Sequence, residues 1–131
     1  MNLSFLIAGI LCFVLGIVHS IFGEILIFSS KREKGAIVPA KKSPDLKAGH
    51  LRIIWATWHL ASVLGGCLGA ILLKISLQPI GLDSEVSKMV VQSTIFGMLA
   101  GCLLVLIGTK GKHPGWIVLL LIAILLLLGS L

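Results

Sequence analysis

Charged side chains are what this sequence has least of. Only 12% of its 131 residues are Asp, Glu, Lys or Arg, against about 25% in soluble domains. A water-soluble chain this short has too little interior to hide a composition that is 57% hydrophobic, so lipid must solvate most of it. Cysteine is sparse as well. Cys12, Cys67 and Cys102 each sit inside an apolar run, and no two have metal or redox spacing, which argues against a disulfide scaffold. They read as small, inert core residues. There is no C-x-x-C-H haem attachment and no H-E-x-x-H pair. The net charge of +6 is clustered between apolar runs instead of forming a basic groove. Anionic lipid headgroups, and not nucleic acid, are therefore the expected partner.

What the sequence does have is four long apolar runs, at residues 1–23, 53–73, 89–109 and 114–131. Each approaches the ~20 residues that a helix needs to cross a bilayer core, and lipid leaves the backbone no alternative to helix. The first run lacks a basic n-region and a small-x-small cleavage site, so it reads as a retained span and not as a signal peptide. The fold expected is an all-α integral membrane four-helix bundle, a single domain with helices at about 3–28, 44–74, 84–109 and 114–131.

Lys31, Arg32, Lys34, Lys41, Lys42, Lys47, Arg52, Lys110 and Lys112 lie in the first and third connections. Those connections are then cytoplasmic, and both termini lie on the outer side of a bacterial inner (plasma) membrane. Ser43-Pro44-Asp45 has the residue types of a helix start. Residues 29–40 read as a mobile basic loop. Gln78-Pro79-Ile80-Gly81 reads as a turn, with Asp83 or Ser84 capping the third helix. Small residues predict tight packing among spans one to three: Gly9, Gly16 and Gly23, then Ser62, Gly65 and Gly69, then Ser93, Gly97 and Gly101. Span four, almost all Leu, Ile and Val, reads as the most lipid-exposed helix. Glycine-rich seams also allow a homo-oligomer or a place in a larger membrane complex.

The informative stretch is Arg52-Ile53-Ile54-Trp55-Ala56-Thr57-Trp58-His59, in which Arg52, Trp55, His59 and Ser62 share one helical stripe. Counting inward from the cytoplasmic face puts His19 ~13 Å deep in span one and His59 ~12 Å deep in span two, with Glu24 and Trp55 both roughly 6 Å deep. Ionisable residues at such depth default to functional hypotheses. His19, Glu24, Arg52, Trp55 and His59 therefore form a candidate ligand or proton site. His19 and His59 are the pair that would ligate a transition metal or haem b.

The bland reading is register: Glu24 bridged to Arg52 or to the Trp55 indole, and neutral imidazoles bonded to each other or to Ser20. His19 and Glu24 lie about 140° apart around a regular helix, whereas Ser20 and Glu24 share a face. Ser20 and Ser62 read as helix-packing hydroxyls, the tryptophans as interfacial anchors, and His50 and His113 as solvated loop residues. An enzyme is not the favoured reading.

Glu24 in the first of four short helices resembles the small multidrug resistance transporters, which implies a proton-coupled exporter. The pattern His19-Ser20-x-x-Gly23-Glu24, a basic loop, then Arg52 through Trp58-His59 resembles a group of small four-helix bacterial membrane proteins with no assigned activity. These residues cover about half the chain. The expectation is thus a small polytopic membrane protein whose His/Glu cluster binds a cation, proton or small ligand. Its rival is a structural or accessory subunit in which the cluster only fixes helix packing.

Overall fold

The computed structural model describes residues 1–41, 46–77 and 85–131. The four apolar runs form four helices: α1 (Leu3–Gly23), α2 (Ala48–Ser76), α3 (Glu85–Gly108) and α4 (Gly115–Ser130). Three are long and apolar enough to cross a membrane, the first of them counted through the helical turns that continue α1 to Lys31. The fourth, α4, is apolar but has 16 residues, a length of ~24 Å. The Ser43-Pro44-Asp45 helix start, the Gln78–Gly81 turn and the Asp83 and Ser84 caps lie outside the described residues. The second helix begins at Ala48.

One cap ties three helices together at the end that holds both termini. The Asn2 side chain accepts from Phe5 N at 3.3 Å and donates to Gly129 O at 2.7 Å, while Asn2 N donates to Ser76 O at 2.9 Å. α1, α2 and α4 are thereby fixed at one level. Phe5, Ala8 and Cys12 of α1 are buried there with Leu72 and Ile75 of α2, Val91 and Met98 of α3, and Ile122, Ala123 and Leu126 of α4.

The packing order differs from the expected one. α1 lies between α2 and α4, α3 lies against α4, and α2 and α3 make little contact. Far from being the most exposed helix, α4 buries Ile122, Ala123 and Leu126 completely. A helix that is apolar all round gives no sequence signal for which face it packs. The glycines show the same asymmetry. Gly9, Gly16 and Gly23 press on α2, against Leu73, the Ser62 carbonyl and the Trp58 indole, whereas nothing lies within 4 Å of a Cβ built at Gly97.

At the other end α1 does not stop at Gly23. It widens into a π-helical turn over Glu24–Phe28 and tightens into a 3₁₀ turn over Ser29–Lys31. The loop that follows folds back on this turn. Ala40 N and Lys41 N both donate to Lys31 O, at 3.1 and 2.9 Å. Gly35, at φ 83°, turns the chain, and Pro39 is fully buried. Over the residues expected as a mobile basic loop the chain folds back on Lys31 through these two hydrogen bonds, which composition alone does not reveal.

Candidate functional site

Two polar arrangements occupy the end of the α1–α2 pair away from both termini, one on each side of the seam. The first is centred on His59. Ser20 and Glu24, one turn apart on α1, both face it. Ser20 Oγ lies 2.9 Å from His59 Nδ1 and Glu24 Oε1 lies 2.8 Å from His59 Nε2. A carboxylate oxygen only accepts, so the imidazole proton sits on Nε2, and Nδ1 accepts the Ser20 hydroxyl. Glu24 Oε1 also accepts from Trp55 Nε1 at 2.6 Å. Its Oε2 is ion-paired with Arg32. The pair is about three-quarters buried, at 28% and 26% side-chain exposure.

Arg32 comes from the 3₁₀ turn and the extended residue that follows it. Sequence reasoning assigned this role to Arg52, but Arg52 is exposed and takes no part in the network. The π-helical turn carries the chain round so that residue 32 returns to residue 24, and single-turn π insertions leave little trace in a sequence. Phe28, also in that turn, is fully buried and closes the cluster from below, its ring 5.9 Å from that of Trp58 and 6.2 Å from that of His59.

The second arrangement holds His19. Its ring stacks on Trp58 with centroids 4.2 Å apart and planes 6° from parallel, and Trp58 Nε1 donates to His19 O at 2.9 Å. Trp58 is therefore held inside the fold and not simply anchored at an interface. His19 faces away from His59 and lines a cleft of about 870 Å³ between α2 and α3, floored by α1 and α4. Leu15, Leu68, Met89, Val90, Met98 and Leu119 give it an apolar wall. Trp58, Thr109 and His113 line the same end as His19. His113 is the exposed loop residue expected from sequence, and it lines the mouth of this cleft as well. Its Nδ1 accepts from Gly115 N at 3.1 Å, which turns the ring back over the start of α4.

The expected site thus divides. Glu24, Trp55 and His59 meet in one network, His19 belongs to the cleft, and Arg52 belongs to neither. His19 and His59 do not converge on one coordination position, and both nitrogens of His59 are engaged. Among the described residues no group of three or more His, Cys, Asp or Glu is placed to hold a metal ion.

No family model, curated protein or solved structure matches the chain.

Proposed function

We propose that this is a multi-pass protein of the bacterial inner membrane that binds one small lipid-soluble ligand in the α2–α3 cleft, with His19 as its polar anchor. In this reading all four helices cross the bilayer, the basic first and third connections face the cytoplasm and anionic headgroups, and both termini lie outside. The observation that carries the proposal is the position of His19, stacked on Trp58 at one end of a large apolar cleft. The cleft volume is within the ~300–1,000 Å³ usual for ligand sites, and the pattern of apolar walls with few polar groups is theirs too.

Chemistry specifies the occupant further. His19 and His113 stand at the cytoplasmic end, beside the segment that carries Lys110 and Lys112. Cationic and donor groups there complement an anionic or hydrogen-bond-accepting head, and the gap between α2 and α3 takes an apolar chain. An amphipathic anion such as a long-chain carboxylate fits both. In proteoliposomes, a photoreactive long-chain carboxylate is expected to cross-link to Met89, Leu68 or their neighbours, and His19→Ala is expected to reduce that yield several-fold. Uniform labelling of the lipid-facing helix surfaces, insensitive to His19→Ala, defeats the proposal.

The rival reading, an accessory subunit whose polar network only sets helix register, draws its support from the saturation of Glu24. A carboxylate that already serves Trp55, His59 and Arg32 has three of its about four acceptor positions engaged within the protein. The same saturation disfavours an exporter that loads protons and substrate on Glu24.

A further inference from the structure

We propose that Ser20, His59 and Glu24 form a nucleophilic relay that cleaves acyl esters entering from the lipid. This site is on the opposite side of the α1–α2 seam from the cleft and does not depend on the ligand proposed there.

The geometry is that of an activated serine. Nucleophile and base lie within hydrogen-bond reach at 2.9 Å, and the base is oriented by a third group at 2.8 Å. Relative to the familiar triad the two imidazole nitrogens exchange roles, which leaves the proton path unchanged. Glu24 is held in place by Trp55 and Arg32, so its carboxylate can stabilise the imidazolium. Ser20 and Glu24 thus hold one tautomer of His59 between them, the one with a lone pair aimed at the Ser20 hydroxyl.

Ser20 is half-buried and opens onto a shallow groove lined by Phe13, Gly16, Ile17, Ile21, Val63 and Gly66. The small residues leave room for a carbonyl, and the apolar ones suit an acyl chain. A serine within a helix has no free backbone N–H beside it to bind an oxyanion, because those donors are used in the helix. A side chain must serve instead. Ser62, one turn beyond His59, lines the same groove, and its Oγ is buried with no hydrogen-bond partner among the described residues. Rotation about its χ1 turns that hydroxyl to the groove.

The reaction follows from these placements. Ser20 Oγ bonds to the acyl carbon as its proton passes to His59 Nδ1, and Ser62 donates to the oxyanion. The C–O bond to the alcohol then breaks, and the alcohol leaves with the proton from His59. Water from the cytoplasmic headgroup region, roughly 12 Å away along α1, adds to the acyl-serine. His59 takes the proton of that water, the ester bond to Ser20 breaks, and a carboxylic acid leaves with Ser20 restored.

The test is covalent. The full chain, purified in detergent, is incubated with an alkyl fluorophosphonate and analysed by mass spectrometry. A stoichiometric adduct on Ser20 is expected, absent in Ser20→Ala and slowed at least ten-fold in Glu24→Gln. Hydrolysis of a p-nitrophenyl acyl ester by the wild-type chain, lost in Ser20→Ala, is expected alongside. A merely structural hydrogen bond produces neither signal. Ser20→Ala removes a single hydroxyl, and a helical circular dichroism spectrum checks that it folds. Absence of an adduct on the folded wild-type chain, or ester hydrolysis equal in Ser20→Ala, overturns the proposal.

Discussion

The ring of His19 lies flat on the indole of Trp58, 4.2 Å between centroids, and the indole N–H of Trp58 donates to the backbone oxygen of the same histidine. Trp55, one turn earlier on α2, donates to the Glu24 carboxylate instead. The two indoles make hydrogen bonds of similar length to acceptors of different charge. Hydrogen bonds to charged groups are worth about 1.5–3 kcal/mol and neutral ones about 1. Trp55→Phe is therefore expected to destabilise the protein by ~2 kcal/mol and Trp58→Phe by ~1 kcal/mol. Thermal unfolding of both variants in one detergent checks the order. Equal losses would show that the carboxylate gains nothing from Trp55.

Glycines that look alike in sequence are expected to respond in opposite directions. A Cβ at Gly23 falls 2.1 Å from Trp58 Nε1, so the indole has to leave its bond to His19. Gly23→Ala is expected to cost ~1–3 kcal/mol, the usual range for overpacking. A Cβ at Gly97 meets nothing within 4 Å. Gly97→Ala relieves the entropic cost of glycine in a helix and is expected to gain about 0.5 kcal/mol. Melting curves of the pair decide the matter, since tight packing of α3 through Gly97 requires a loss there.

A third expectation concerns the end of α3. Gly111 N donates to Leu106 O at 2.8 Å and Lys110 N to Ile107 O at 3.1 Å, the two bonds of a Schellman cap. The left-handed position of that cap is filled by Lys110, at φ 52°. A side chain there costs roughly 1–2 kcal/mol that glycine avoids. Lys110→Gly is expected to raise the melting temperature and Lys110→Ala to leave it nearly unchanged, because alanine keeps the Cβ. A gain from both would point to charge instead of backbone strain.

How much of this was legible in the sequence depends on which physical constraint was acting. Apolar runs of about 20 residues point to helices, so the four helices follow from composition and length. Glu24 and Trp55 fall at one level on antiparallel neighbours, as counting along the helices expects, and Ser20 shares the Glu24 face by simple periodicity. Three things were not legible. Nothing in the all-apolar sequence of α4 marks the face that packs between α1 and α3. His19 and Ser20 are adjacent, yet they point to opposite sides of the seam, and only the position of α2 decides which one meets His59. Arg32 reaches Glu24 through a π turn followed by a 3₁₀ turn, a local change of winding without a composition signal. The sequence likewise carries no mark that Thr109, just after α3, and His113, in the exposed loop beyond it, line the gap between α2 and α3.

The choice of arginine yields the last prediction. Sequence position favoured Arg52 as the partner of Glu24, and the structure pairs Glu24 with Arg32. A double-mutant cycle separates them, because residues in one network couple and independent sites add. Glu24→Gln alone leaves Trp55, His59 and Arg32 facing an uncharged amide and is expected to cost ~1–3 kcal/mol. Combined with Arg32→Met, it is expected to cost ~1 kcal/mol less than the sum of the single changes. Combined with Arg52→Met, the costs are expected to add to within about 0.5 kcal/mol. The measurement is thermal or denaturant unfolding of the six proteins in one detergent. Coupling to Arg52 instead of Arg32 would mean that the turn after α1 does not return the chain to Glu24. That result would also remove one of the two groups that hold the carboxylate against His59.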